Sequence, residues 1–397
     1  MLKTINISRR TILLAGGAAA LAGRFPTPAI AQNKPIQLGW IVSLTGVFSN
    51  SAQAQDFGAK AAIEQINESG GIEGRKVELV TRDSAADPTK AVNYAKELIY
   101  NTSVDAICGP TNSGEALPTL GVVAAANRIH VVLGSVDDLI NPAKYPLAFR
   151  QINTNSQWVK ASTIHAVQKL NKKKVAIICD TTGYGQLSAK VAKAQLQALG
   201  MEPAYEALLD PNQTDATDQI NAARAAGADA ISMWSNASGI VARVLNARGE
   251  QKWDVPVVAH PAALYKQVGD LLTKPAYWEN VYSPAYDFCI VDQAGKLPAS
   301  TQAFFDRYKG QYEQFLAAGM WCIFQGQAGP LIYASGVKAA GNLDAAAIAQ
   351  KLNTGMEVGT PSGIFKYSDT DHNGYADSNL VMVAASSLQP NGGYRAA

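Results

Sequence analysis

Short apolar runs alternate with amphipathic stretches along most of this chain. Runs of five to eight residues suited to strands fall at 36–43, 76–82, 104–108 and 129–133, and again at 174–179, 204–208, 230–234 and 255–259; 36–43 reads as buried and 76–82 alternates. Between them, apolar positions at helical spacing predict helices at 52–69, 89–101 and 114–127, then at 156–170, 185–199, 214–226 and 238–248. Gly70-Gly71 stops the first helix. Asp87-Pro88 opens the second, with Asp as cap and Pro in the first turn. Strands alternating with helices of this length mean βαβ units and parallel sheets. Two such runs, divided near residue 150, predict an α/β fold of two doubly wound parallel-sheet lobes. The last third differs: 298–340 reads as largely helical, and 363–367 and 379–385 read as strands around a polar turn.

The N-terminus follows another logic. Residues 1–31 hold Lys3, Arg9, Arg10 and Arg24 and no acid. The uncharged run 11–23 is thirteen residues, short of the roughly 20 a spanning helix needs. Ala29-Ile30-Ala31 is a small-x-small cleavage site, which completes the pattern of a secretory signal peptide over 1–31. The arginine pair in Ser8-Arg9-Arg10-Thr11 points to the twin-arginine route, against ordinary secretion. No cysteine precedes Cys108, so no lipid anchor is expected and the mature chain is expected to be periplasmic and soluble. Removing the four leader charges takes the formal charge from +2 to −2, and no concentrated basic patch suggests a nucleic-acid partner.

Charged residues are only 17% against the roughly 25% usual for globular domains, and apolar residues are 47%, which excludes a disordered chain. Cys108 and Cys179 end apolar strands and read as small buried hydrophobes. Cys289 and Cys322 stand as a candidate disulfide pair in an oxidising compartment. No P-loop, G-x-S-x-G, H-E-x-x-H or C-x-x-C occurs, and His130, His165, His260 and His372 have no ligand spacing. No enzymatic activity and no cofactor are expected. Residues 369–377 mimic the opening of a calcium loop, with Asp369, Asp371 and Asn373 as candidate ligands, but Leu380 stands where the closing Glu belongs. The competing reading is a polar turn.

In open α/β sheets ligands bind beyond the carboxyl ends of the strands. After the third strand come Asn112 and Ser113, leading into a helix whose N-terminal amides suit an anion; Ser113 also reads as a plain helix cap. After the fourth come Asp137 and Asp138, which would call for a cation or hydroxyl donor on the ligand if they face the cleft; Asp138 also reads as a cap. The second half supplies Tyr184, Trp234, Asn236 and His260 at its strand ends, as ligand contacts or as lids on the core.

These residues carry a family resemblance. The chain resembles the periplasmic solute-binding proteins of ABC importers, in the Leu/Ile/Val-binding (type I) group. The likeness rests on 38–46 (LGWIVSLTG), 58–74 (GAKAAIEQINESGGIEG), 75–79 (RKVEL), 87–91 (DPTKA), 104–113 (VDAICGPTNS), Ala148-Phe149-Arg150 and Tyr184-Gly185, in the family order. It implies two lobes joined by crossings near 150, 282 and 379: lobe 1 from 32–150 plus 283–378, lobe 2 from 151–282 plus 379–397. It implies hinged closure on a small ligand, such as an amino acid or carboxylate, and delivery to membrane permease subunits. Ser113 matches the family's carboxylate-binding serine and Tyr184 its pocket tyrosine. Asp137 and Asp138 fall where amino-acid binders show Ala and Thr, no acid stands near His260 to pair an ammonium, and Ser51 stands where an aromatic often shields the ligand. These departures open the way to aromatic or aliphatic carboxylates, with Trp158, Trp234 and Trp321 as stacking surface. A sensor docking on a membrane receptor shares the same fold and pocket. An exported hydrolase with Asp137 or Asp138 as base lacks a paired nucleophile.

Overall fold

The computed structural model describes residues 34–397. The export signal expected within residues 1–31 lies outside the described residues. The first run of elements is β1 (Ile36–Val42), α1 (Ser49–Glu68), β2 (Val77–Asp83), α2 (Pro88–Lys96), β3 (Ala106–Cys108), α3 (Ser113–Ala125), β4 (Ile129–Val132) and β5 (Ala148–Arg150). Its strands form one parallel sheet in the order β2-β1-β3-β4-β5. The second run is α4 (Asn155–Ile164), β6 (Val175–Asp180), α5 (Gly183–Ala198), β7 (Tyr205–Leu209), α6 (Thr217–Ala225), β8 (Ala230–Trp234), α7 (Ser238–Glu250), β9 (Val257–Ala259), α8 (Lys266–Leu271) and β10 (Val281–Tyr286). Here the order is β7-β6-β8-β9-β10, again parallel. The strand order reverses between β1 and β3 in one lobe and between β6 and β8 in the other, which opens a crevice beyond the carboxyl ends of each pair.

Burial explains the strand composition. All residues of β6 and β8 are buried, as parallel strands covered by helices on both faces require. Local chemistry sets the helix starts. Asp87 accepts from Thr89 N (2.8 Å) and Lys90 N (3.1 Å) with Pro88 in the first turn. Thr154 and Gln157 form a reciprocal capping box on α4.

The final third is α9 (Ala299–Arg307), α10 (Met320–Ala340), α11 (Ala345–Leu352), the hairpin β11 (Val358–Thr360) and β12 (Gly363–Phe365), and β13 (Leu380–Ala384). The two strands expected around the polar turn thus join different partners: β12 pairs with β11, while β13 runs antiparallel to β10 at the edge of the second sheet. Helix α10 is apolar all round and packs along α1. The two backbones touch: a Cβ on Gly58 would sit 1.8 Å from the Ile323 carbonyl oxygen, and one on Gly326 1.9 Å from that of Gln55.

The chain crosses between the sheets after β5, after β10 and before β13. Strand β10 runs on past Pro284 to Tyr286 along β13. Hydrogen bonds tie the crossings side by side. Tyr286 Oη donates to Asn153 Oδ1 (2.7 Å), Gln325 Nε2 donates to Tyr286 Oη (2.7 Å), and Tyr367 Oη donates to the Arg150 carbonyl (2.7 Å).

The candidate disulfide does not form. Cys289 and Cys322 are not paired; all four cysteines are free and buried. Cys322 Sγ donates to the Ala318 carbonyl (3.1 Å). Burial pushes the Cys108 and Cys322 thiols up to about 12. The 369–377 segment forms the polar turn that the sequence set against a calcium loop: Asp371 Oδ1 accepts from Asn373 N (2.8 Å), and Asn373 Oδ1 accepts from Arg150 Nε (2.8 Å). Asp369 is exposed. No cluster of three or more His, Cys, Asp or Glu among the described residues is placed to hold a metal. None of the helices among them is long and apolar enough to cross a membrane.

Candidate functional site

The carboxyl ends of both sheets face one cavity between the lobes, bounded by Ser113, Gly134 and Gln325 on one side and Tyr184, Asn236 and His260 on the other. In the first lobe, Asn112 caps α3, its Oδ1 accepting from Glu115 N (3.1 Å). The N–H groups of Ser113 and Gly114 then lack an intrahelical carbonyl, at the positive end of the helix dipole. Ser113 Oγ accepts from Val136 N (3.2 Å), which fixes the hydroxyl and leaves its proton to donate. Behind α3 the buried Glu115 accepts from Ser43 Oγ (2.7 Å) and from Asn112 Nδ2; burial raises its pKa.

The loop after β4 forms the next wall, and Arg150 holds it. This fully buried guanidinium donates to the Gly134 carbonyl, to the Val136 carbonyl (2.8 Å) and to the Asp137 carbonyl (3.3 Å). Burial lowers its pKa to about 10, so it stays charged at neutral pH.

In the second lobe, Thr182 caps α5, accepting from Gly185 N (3.2 Å). Tyr184 Oη donates to Asn155 Oδ1 (2.9 Å). The His260 ring lies against Trp158 (centroids 4.9 Å apart) and Tyr184 (5.3 Å). His260 Nδ1 accepts from Ala262 N (2.9 Å), so the proton sits on Nε2. Burial pushes its pKa down to about 3, and the ring is neutral. Tyr265 stacks on Trp321 (5.6 Å) and donates to Asn236 Oδ1 (3.1 Å). Gln55 on α1 and Gln325 on α10 meet at 3.4 Å beside the helix crossing.

The two capped helices converge. A Cβ on Gly183, at the start of α5, would lie 3.0 Å from Gly114 Cα in α3. The cavity that remains is narrow, about 40 Å³, room for a few waters. Among the described residues no Asp, Glu, Lys or Arg side chain lines it.

Of the residues singled out from the sequence, Asn112, Ser113, Tyr184, Asn236 and His260 line this cavity, as do Trp158 and Trp321. Four others do not. Asp137 turns toward α4, where its Oδ2 accepts from Ser156 N (3.2 Å), an anion answering a helix N-terminus. Asp138 is exposed on a separate surface hollow that it shares with Asp137. Trp234 is fully buried in the core, its Nε1 donating to Ser232 Oγ (2.8 Å). Ser51 is buried in the first turn of α1, its Oγ donating to the Phe48 carbonyl (3.1 Å), and Phe48 supplies the aromatic wall there. The sequence reading passed over Phe48, Gln55, Tyr265 and Gln325. Tyr265 shows one usable signal, an aromatic shortly after a strand end.

Residues 35–388 match the periplasmic binding protein family. The chain is 25% identical over 363 residues to a Leu/Ile/Val-binding protein homolog of Brucella melitensis, covering 90% of this chain and 93% of that protein. Two solved structures share its fold. One is a branched-chain amino acid transporter substrate-binding protein of Streptococcus pneumoniae in complex with isoleucine, at TM-score 0.72 and 19% identity, covering 91% of this chain and 98% of that one. The other is an ABC transporter solute-binding protein of R. palustris in complex with 4-hydroxybenzoate, at TM-score 0.73 and 17% identity, covering 92% and 96%. The doubly wound pair of lobes with a cavity at the strand ends is the fold these proteins share, and this chain belongs to the periplasmic binding protein family.

Proposed function

We propose that this chain is the extracytoplasmic solute-binding component of an ABC importer. It captures one small amino acid or organic acid between its lobes and hands it unaltered to the permease. The observation that carries the reading is the meeting of two helix N-termini, α3 and α5, over an uncharged, aromatic-walled cavity. Backbone N–H groups at such ends favour a carboxylate. Ser113 adds a hydroxyl donor fixed by Val136 N. The lobes are taken as 35–150 with 287–379, and 151–286 with 380–397. Closure brings Gly114 against Gly183, and opening about the three crossings releases the ligand. Relatives named for Leu/Ile/Val binding and neighbours described as transporter components support the importer assignment.

The test is mass spectrometry of small molecules released on denaturing the purified protein, followed by calorimetric titration with the species found. The expected result is one ligand per chain, unchanged in mass after incubation, with Ser113→Ala weakening binding by about 1–3 kcal/mol. A product of altered mass, or a Ser113→Ala variant of undiminished affinity, overturns the reading.

A further inference from the structure

Resting on the capture reading, we propose that the cleft selects an aromatic carboxylic acid that bears a hydroxyl and carries no ammonium group, and that it rejects α-amino acids. Three observations converge on this class.

The first is the charge of the wall. An amino acid brings an ammonium into the cleft, and a desolvated cation is held best by a carboxylate partner. None lines the cavity. The acids nearest in sequence are engaged elsewhere. Asp137 serves Ser156 N at 3.2 Å, and Asp138 is exposed outside the cleft. Glu115 accepts from Ser43 and Asn112 behind α3, and Asp180 accepts from Thr182 N (2.9 Å) at the base of α5. His260 receives the Ala262 N–H on Nδ1 and so presents a donor, not an acceptor, on its other nitrogen.

The second is the pair of unpartnered polar atoms on the wall. Trp158, 3% exposed, lines the cavity, and its Nε1–H has no hydrogen-bond partner among the described residues. Gln55, 4% exposed, lines it as well, and its Oε1 accepts from no group among the described residues. Buried polar atoms are almost always satisfied. A ligand oxygen answers the indole N–H, and a ligand hydroxyl answers the amide oxygen. The Gln55 amide is oriented for this, since its Nε2 donates to Gln325 Oε1 at 3.4 Å.

The third is the make-up of the wall. Trp158 and Tyr184 flank His260, and Tyr265 stacks on Trp321, so ring faces and edges bound a cavity that must open to admit any ligand larger than a few waters. A flat ring stacks on such faces.

The experiment is isothermal titration of the mature protein, stripped of bound solutes, with 4-hydroxybenzoate, benzoate, tyrosine and leucine. The expected order is 4-hydroxybenzoate first, benzoate at least tenfold weaker for want of a donor to Gln55, and both amino acids at least a hundredfold weaker. In Gln55→Leu the preference for 4-hydroxybenzoate over benzoate should fall to about one, with benzoate affinity retained. Tyrosine or leucine binding as tightly as 4-hydroxybenzoate overturns the inference and leaves solute capture standing. An unchanged preference in Gln55→Leu overturns the assignment of Gln55. Silence from all four probes overturns the inference. Capture itself then stands or falls on whether any small molecule is released when the protein purified from cells is denatured.

Discussion

Replacing Gly183 by alanine puts one methyl group into the seam between the lobes. The added carbon would lie 3.0 Å from Gly114 Cα, and both atoms belong to helix starts rather than to pliable side chains. Relaxed carbon–carbon contacts sit at about 3.5–4.0 Å. The closed arrangement must therefore spread by half an ångström or more. Overpacking of this kind costs about 1–3 kcal/mol. The open arrangement carries none of that cost, so the whole amount falls on closure and is subtracted from ligand affinity. The expected loss is about five- to 150-fold in Kd. The same substitution has the opposite sign without ligand. Alanine in a helix reduces unfolded-chain entropy, worth about 0.4–1 kcal/mol where the backbone permits it. The variant should thus melt no lower than wild type when empty and gain less from ligand. Calorimetric titration and thermal melts with and without ligand read both effects. An affinity within twofold of wild type would show that Gly114 and Gly183 do not meet in the bound form.

Three further outcomes follow from the same geometry. Arg150→Met should cost about 3–5 kcal/mol in chemical denaturation, because three loop carbonyls and Asn373 lose a charged donor in the interior; a loss under 1 kcal/mol would show the loop holds itself. His130 is pushed down to about 4 by burial, its Nε2 donating to the Gly109 carbonyl (2.7 Å). Its pKa is lowered in the fold, so its contribution is present above the unfolded value of about 6.5 and is lost as pH falls toward 4, by about 3 kcal/mol in all. His130→Gln should flatten the pH dependence of stability across that window, and an unchanged slope would refute the assignment. Tyr184→Phe should lower stability by about 0.5–1.5 kcal/mol, since the hydroxyl is spent on Asn155, while ligand affinity stays within threefold. Tyr184→Ala, which removes the ring beside His260, should weaken binding at least tenfold in the same titration.

The parts of the molecule legible in its sequence are those specified locally. Asp87-Pro88 states its own helix start, and buried strands such as β6 and β8 announce themselves as unbroken apolar runs. Because ligands gather beyond such strands, Ser113, Tyr184, Asn236 and His260 can be placed near one another from the sequence. Strands β5 and β10 escaped notice for physical reasons. Three residues are too few to show a period, and Pro284 argues against a strand, yet it is tolerated because β9 pairs only with Val281 and Tyr282. Strand-end position does not reveal which way a side chain turns. Asp137 lies beside the cleft but is drawn to the first turn of α4. Gln55 and Gln325 were invisible for a further reason: they meet across 270 positions of sequence, through a helix crossing that depends on Gly58 and Gly326.

The buried thiols give this fold an internal clock. Cys108 lies on β3 and Cys322 on α10, while Cys179 lies on β6 and Cys289 follows β10. Burial holds the Cys108 thiol far above the usual range, so it stays protonated at pH 8, and the sulfur is sealed from reagent as well. A maleimide therefore reacts only while the surrounding structure is open. Variants retaining either Cys108 or Cys179 alone would report how often the β3 and β6 cores unseal, and whether ligand slows both together or one half frays first.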